Sequence, residues 1–196
     1  MFIETIRCEG GKAFHLPYHQ RRCDATLHKF AFHPHFTLSD RISPPPKGLY
    51  RCRCVYDANH FSCDYFPYTP KMIQKIGWIA DETIDYGAKY ADRTPFNDLL
   101  HRYSAYDEIL IIQNGYLTDT TIANIALYVE GQWLTPHTPL LEGTTRARLV
   151  DEGKLFIAPL TPDDLPKATK IALMNAMIGF REMENGIILP INTRLG

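Results

Sequence analysis

Asn114-Gly115-Tyr116-Leu117-Thr118-Asp119-Thr120-Thr121-Ile122-Ala123-Asn124-Ile125 decides how the second half of the chain folds. Asn-Gly is the pair that a two-residue hairpin turn prefers, because both positions need positive φ. The apolar run Glu108–Gln113 enters the turn as a strand, and the chain doubles back carrying Asp119 with it. Residues 122–129 read as the next strand, which Glu130-Gly131 turns into a return over residues 132–134. Upstream, residues 73–80 are apolar enough for a buried strand. Asp92 and Thr94 are candidate caps of a helix that presents Phe96, Leu99, Leu100 and Tyr103 on one face. Downstream, Gly143 opens a helix that runs to about Glu152, with Gly153 placed to stop it. Further strands are expected at 155–158, 170–173 and Ile187–Pro190.

The first half reads more simply. Residues 2–7 form a strand, Gly10-Gly11 a tight turn, and residues 12–15 a return strand. Pro17 suits the first turn of a helix, where its missing N–H is no loss, and residues 19–32 continue that helix up to Pro34. Residues 39–48, with three consecutive prolines, read as a loop. Leu49–Tyr56 and residues 61–66 read as two strands, Pro67 closes the second, and Tyr68 to Pro70 read as a hinge. Strands dominate, helices are interspersed and no period repeats, so the class is α+β or mixed α/β. The expected organisation is a small domain over 1–70, a linker and first strand over 71–82, and a larger domain over 83–196 that holds Lys89.

Composition excludes several classes. The net charge is −1 with no run of like charge, which argues against nucleic-acid and acidic-membrane partners. Glu4 and Arg7 interrupt the N-terminal apolar stretch, so it reads as neither a signal peptide nor a span, and the expected location is cytoplasmic. Five cysteines form no Cys-x-x-Cys pair, and Cys52 and Cys54 share one strand face. Reduced, packed thiols are expected rather than zinc or disulfides. His33-Pro34-His35 has no third ligand at convincing spacing, so no metal is expected.

Three features could carry chemistry together. Lys89 lies in Tyr86-Gly87-Ala88-Lys89-Tyr90-Ala91-Asp92-Arg93, among tyrosines and small residues that suit a partly closed site. Asp119 follows thirty residues later, with Asn124 five residues beyond it. Gly143-Thr144-Thr145-Arg146 then starts a helix, whose exposed N–H groups, dipole and hydroxyls suit a dianion. Taken singly, each has a plain alternative: a surface lysine, a solvated hairpin acid, a capped helix. An amine, an acid and such a helix start are nonetheless the three attachments that pyridoxal phosphate requires. Arg22, three residues after His19, adds a guanidinium fork suited to phosphate, and as a plain alternative is a solvated helix-face arginine.

In order and local sequence these residues resemble the class IV aminotransferases, the fold type IV pyridoxal phosphate enzymes. The resemblance implies a two-domain fold with a shortened N-terminal domain. It also implies a Lys89 Schiff base, Asp119 against the ring nitrogen where relatives usually carry the longer Glu, and Arg22, Thr144 and Thr145 near the phosphate. Asn124 is expected to brace its loop. Phe2-Ile3-Glu4-Thr5-Ile6-Arg7 and Leu173-Met174-Asn175-Ala176-Met177 resemble the aminodeoxychorismate lyase versions of two family segments, which brings Asn175 and Ala176 into the cofactor set. Lyase chemistry, releasing pyruvate and leaving p-aminobenzoate, is slightly favoured over branched-chain or D-amino acid transamination. A non-catalytic binding member of the fold is a further alternative. By resemblance the assembly is a homodimer, and the partner a small amino substrate.

Overall fold

Gly10 and Gly11 adopt positive φ of 56° and 77° and fold β1 (Phe2–Glu9) back onto the short β2 (Lys12–Ala13). The return strand is shorter than expected because His15 takes a left-handed conformation, φ 56°, as the N-cap of α1 (Leu16–Lys29). Pro17 sits in the first turn of that helix, as its fixed φ and missing N–H favour. The helix ends three residues before the expected Phe32, where Ala31 turns left-handed at φ 58°. A four-residue helix, α2 (Leu38–Arg41), occupies part of the expected loop, with the fully buried Leu38 held by its N–H to Gln20 Oε1 at 2.7 Å. The hairpin of β3 (Leu49–Tyr56) and β4 (Phe61–Pro67) completes an antiparallel sheet of order β2-β1-β3-β4.

Period two governs this sheet. Phe2, Glu4, Ile6 and Cys8 are the buried face of β1, and the register sets the first three opposite Tyr56, Cys54 and Cys52. Helix α1 buries His19, Cys23, Thr26 and Leu27, one stripe at helical spacing. Phe61 packs on Phe36 with ring centroids 4.3 Å apart, whereas Phe66 is exposed under Arg51.

The computed structural model describes residues 1–184 and 186–191. They fall into two units: Met1–Lys71 with Tyr86–Asp92 and Ala176–Ile178, and Met72–Asp85 with Arg93–Asn175 and the residues from Gly179 onward. The first break falls between Lys71 and Met72. Lys89 differs from expectation, since its segment belongs to the first unit. The uncovered edge of β1 holds it: Ile3 N–H donates to Lys89 O at 2.8 Å, Ala91 N–H donates to Met1 O at 3.1 Å, and Phe2 bridges Tyr90.

In the second unit, β5 (Lys75–Ala80) runs parallel to β6 (Glu108–Gln113) on one side and to the last strand, β13 (Ile187–Pro190), on the other. Helix α3 (Thr94–Arg102) precedes β6, with Arg93 rather than Asp92 or Thr94 in the N-cap position. Asn114 and Gly115, both with positive φ, join β6 to β7 (Tyr116–Thr120), and Glu130-Gly131 joins β8 (Asn124–Val129) to β9 (Gln132–Pro136). After α4 (Thr144–Asp151) come β10 (Phe156–Ala158), a 3-10 turn at Pro162–Lys167, β11 (Lys170–Asn175) and β12 (Gly179–Glu182). The sheet runs β10-β9-β8-β7-β6-β5-β13, with β11 branching from β8 and β12 pairing β11. Strands β7 and β8 meet in register at Asp119 and Asn124.

The cysteines correct the expectation of fully reduced thiols. Tyr56 and Phe61 close the β3–β4 hairpin, so Cys54 stands directly opposite Cys63, and the two form a disulfide with Cα atoms 4.1 Å apart. Antiparallel partners come this close without backbone movement. Cys8, Cys23 and Cys52 stay free and buried.

Gly77 marks a close approach in β5, since a Cβ there would lie 2.6 Å from Ile191 Cδ1 and 3.0 Å from Tyr106 Cδ1. Gly77→Val is expected to cost about 1–3 kcal/mol in urea unfolding through overpacking, and Gly77→Ala less, because Ile191 can rotate. Equal, negligible losses for both would show that β13 docks more loosely than this.

Candidate active site

The first unit gathers charge on one strand. Glu4 is fully buried on the apolar face of β1, where a carboxylate survives only if it is paired. Arg22 Nε donates to Glu4 Oε1 at 2.8 Å and Arg22 Nη2 to Oε2 at 2.6 Å, a side-on fork. His19 Nδ1 lies 2.6 Å from the same Oε2. Burial alone would raise the Glu4 pKa, but the Arg22 charge and these hydrogen bonds outweigh it and hold the carboxyl down at about 2. Burial pushes His19 down, the Glu4 contact opposes it, and the charges of Arg22 and Lys89 add to the lowering, so the imidazole is neutral. Lys89 is half-buried, and its backbone is pinned by Ile3, the residue beside Glu4. Arg22, His19 and Lys89 thus take their positions from adjacent residues of β1.

The second unit centres on Asp119. Its carboxylate is buried, accepting from Asn124 Nδ2 at 2.7 Å and from the Leu141 backbone N–H at 2.9 Å. Burial dominates its titration, raising the pKa to about 7 against the opposing pull of those two donors. A carboxylate has about four acceptor directions, so a further donor can still be accommodated.

Asn124 couples the acid to the start of α4. Its Nδ2 also donates to Leu141 O at 2.9 Å, and its Oδ1 would lie 1.8 Å from a Cβ at Gly143. Only glycine permits that approach. Gly143 is the N-cap of α4 and brings no side chain, so the first-turn N–H groups gain no side-chain cap from that position. Thr144 and Thr145 follow it, both buried. Arg146, buried too, spans from Glu142 Oε2 (2.7 Å) to Pro136 O (2.8 Å) and fixes the loop that leads into the helix.

The remaining residues brace these groups. Asn175 Nδ2 donates to Ile122 O at 3.2 Å, at the turn between Asp119 and Asn124. Arg93 Nη2 donates to Thr121 O in that same turn, and the Thr121 hydroxyl donates to the buried Glu108 carboxylate. Ala176 lies in the first unit, next to Met177, whose carbonyl accepts from Arg7 Nη1 at 2.8 Å. Glu4, Glu108, Thr121 and Leu141 were not among the residues singled out from the sequence. Glu4 alone had a visible signal, an acid in phase with Phe2, Ile6 and Cys8.

In the second unit a buried acid is locked to a helix start without a side-chain cap, groups of the kinds that suit the ring nitrogen and the phosphate of pyridoxal phosphate, and the first unit by itself carries the lysine and the arginine. Comparison with known proteins points the same way. The family described as Amino-transferase class IV matches residues 87–184. A protein of uncharacterised function from Haemophilus influenzae is 34% identical over 183 residues, covering 90% of this chain and 97% of its own. A structure from Haemophilus somnus, provisionally assigned as a 4-amino-4-deoxychorismate lyase, is 36% identical with a TM-score of 0.83, over 95% of this chain and 97% of that one. A hypothetical aminotransferase from Mycobacterium tuberculosis in a PLP-bound form shares the fold at 14% identity, with a TM-score of 0.79 over 96% and 80% of the two chains. Among the described residues no helix is long and apolar enough to cross a membrane.

Two outcomes follow from this geometry. Gly143→Ala forces Asn124 away from Asp119 and Leu141 and is expected to cost about 1–3 kcal/mol in stability. The double variant with Asn124→Ala should lose clearly less than the sum of the singles; strict additivity would mean that Asn124 does not transmit the clash. The second concerns pH. The raised folded pKa of Asp119 means that the folded chain holds a proton which the unfolded chain has lost, so its contribution declines as pH rises from about 4 through about 7. The stability advantage of ligand-free wild type over Asp119→Asn should therefore shrink by about 3 kcal/mol between about pH 5 and pH 8. A constant difference across that window would contradict the assignment.

Proposed function

Because the chain belongs to the class IV aminotransferase family, we propose that it is a pyridoxal phosphate-dependent enzyme acting through Lys89 on a small amino substrate, with lyase chemistry favoured. The observation that carries this reading is the buried Asp119 carboxylate, tied through Asn124 to the Gly143-Thr144-Thr145 helix start. Bound there, the cofactor supplies an electron sink for the substrate's reacting carbon.

Each residue has a role in the proposal. Lys89 is the covalent attachment point. Its Nζ would also take up and return the proton at the substrate's reacting carbon. Asp119 would hold a proton on the ring nitrogen, since a cation beside it would offset the burial that raises its pKa. Asn124 holds that carboxylate in one orientation. The α4 N–H groups with Thr144 and Thr145 take the phosphate, and Arg22, whose Nε and Nη2 donate to Glu4, is the arginine proposed to add its charge. Asp119 is one methylene shorter than the Glu usual in the family, and the Leu141 and Asn124 bonds fix how far it reaches.

Two things support the lyase reading over transamination: the Phe2–Arg7 and Leu173–Met177 segments, and the provisional lyase assignment of the Haemophilus somnus relative. The test begins with a visible spectrum of the protein with pyridoxal phosphate, then borohydride reduction and peptide mapping. A yellow protein with a reduced adduct on Lys89 is expected, along with a loss of turnover of about 10²-fold or more in Lys89→Ala. Adducts scattered over surface lysines would sink the proposal. Assays for p-aminobenzoate and pyruvate against keto-acid formation then separate lyase from branched-chain or D-amino acid aminotransferase.

A further inference from the structure

Ile122 is out of keeping with the turn that carries it. Residues 120–123 close the seam between β7 and β8, and Thr120, Thr121 and Ala123 are buried, as are Asp119 and Asn124 on either side. Ile122 stands 40% exposed among them. Turn positions that face water usually carry Gly, Asn, Asp or Ser, each for a stated backbone reason, and isoleucine offers none of these.

Single apolar residues on a surface are common, but the others here have a different setting. Ile157 and Phe156 lie on β10, and Ile187 and Leu189 on β13, the strands at the two ends of the sheet path. Ile122 sits instead on a turn whose backbone is bound at each residue. Thr120 N–H donates to Ala123 O at 2.8 Å, Arg93 donates to Thr121 O, and Asn175 Nδ2 donates to Ile122 O itself at 3.2 Å. The side chain is β-branched and therefore stiff. An apolar surface is thus held in place three residues from the buried Asp119 carboxylate, within the turn that the acid opens.

We propose that Ile122 is the apolar contact for one face of the cofactor's ring, and that Asn175 is the positioning residue that sets it there. The inference rests on the reading of Asp119 as partner of the ring nitrogen. A flat ring bonded at its edge to a carboxylate has two faces to shield from water, and covering that area favours binding. Ile122 is the side chain that the acid's own turn offers for this. Asn175 acts through the Ile122 carbonyl, which fixes where the isoleucine stands.

The probe is pyridoxine phosphate, which has the ring and the phosphate but no aldehyde, so its binding does not depend on attachment to Lys89. Its Kd is measured by equilibrium dialysis, with inorganic phosphate as a competitor that has no ring. Ile122→Ser should raise the Kd of the probe about tenfold and leave the inhibition constant of inorganic phosphate unchanged. Ile122→Val should recover most of that loss. Asn175→Ala should weaken the probe to a smaller degree, again without affecting inorganic phosphate. Ile157→Ser, at another exposed isoleucine, should alter neither. Because Ile122 is exposed, its variants should keep the wild-type urea midpoint, which separates a lost contact from a damaged fold. If Asp119→Asn weakens the probe and Ile122→Ser does not, the contact is wrong and the reading of Asp119 stands. Equal weakening of probe and inorganic phosphate by Ile122→Ser would also overturn the contact, since the change would then act on the phosphate end. If the wild type does not bind the probe, the contact and the reading beneath it fall together.

Discussion

A charge that cannot leave water alone organises the first unit. Glu4 is buried among apolar neighbours, and such a carboxylate persists only because Arg22 and His19 close around it. That requirement sets where α1 lies on the sheet: the helix must present residues 19 and 22, three apart and so on one face, to the same oxygen atoms. The strand that carries Glu4 offers its neighbour Ile3 to the backbone of Lys89. Removing the carboxylate would break the Arg22 and His19 bonds and loosen the strand to which the Lys89 backbone is tied, so the stability of this unit depends on one side chain.

The second unit solves a different problem, joining two runs of sheet at a narrow seam. Strands β7 and β8 share the register pair of Asp119 and Asn124, and the side chains of that pair are hydrogen-bonded to each other. The turn between them is bound by the Thr120–Ala123 contacts and by the Arg93–Thr121–Glu108 chain. Polar residues concentrate here because a seam leaves backbone groups that no ladder satisfies. The acid is therefore held in one orientation, which suits the role proposed for it.

Much of this was legible in the sequence because it depends on local rules. Asn114-Gly115 and Glu130-Gly131 both turn with positive φ, Gly153 ends α4, and the alternation of β1 and β3 assigns their faces. Asn124, read as a brace for its loop, bonds Asp119 and the Leu141 carbonyl. Features set by a second segment were less visible. Lys89 joins the first unit through β1, eighty residues earlier in the chain, and no local pattern announces that pairing. The disulfide was recoverable but missed: strands ending at Tyr56 and starting at Phe61 already place Cys54 opposite Cys63. The 3-10 turn at Pro162–Lys167 was also missed, although Thr161 and Asp164 form its capping box.

The lysine segment has a consequence for how the molecule is made. The first unit is drawn from residues 1–71, 86–92 and 176–178, so the chain passes between the two units repeatedly. On a ribosome, β1, α1 and the β3–β4 hairpin can form early, but the edge of β1 stays open until Tyr86–Asp92 emerges. The Met177 carbonyl reaches Arg7 only when synthesis is nearly complete. Long-range closures of this kind slow folding and leave an unpaired edge exposed in the meantime. A nascent chain halted before residue 86 would present a bare strand edge and a half-built charge cluster. The lysine segment therefore arrives as the piece that covers the edge as well as the one that brings the proposed attachment point.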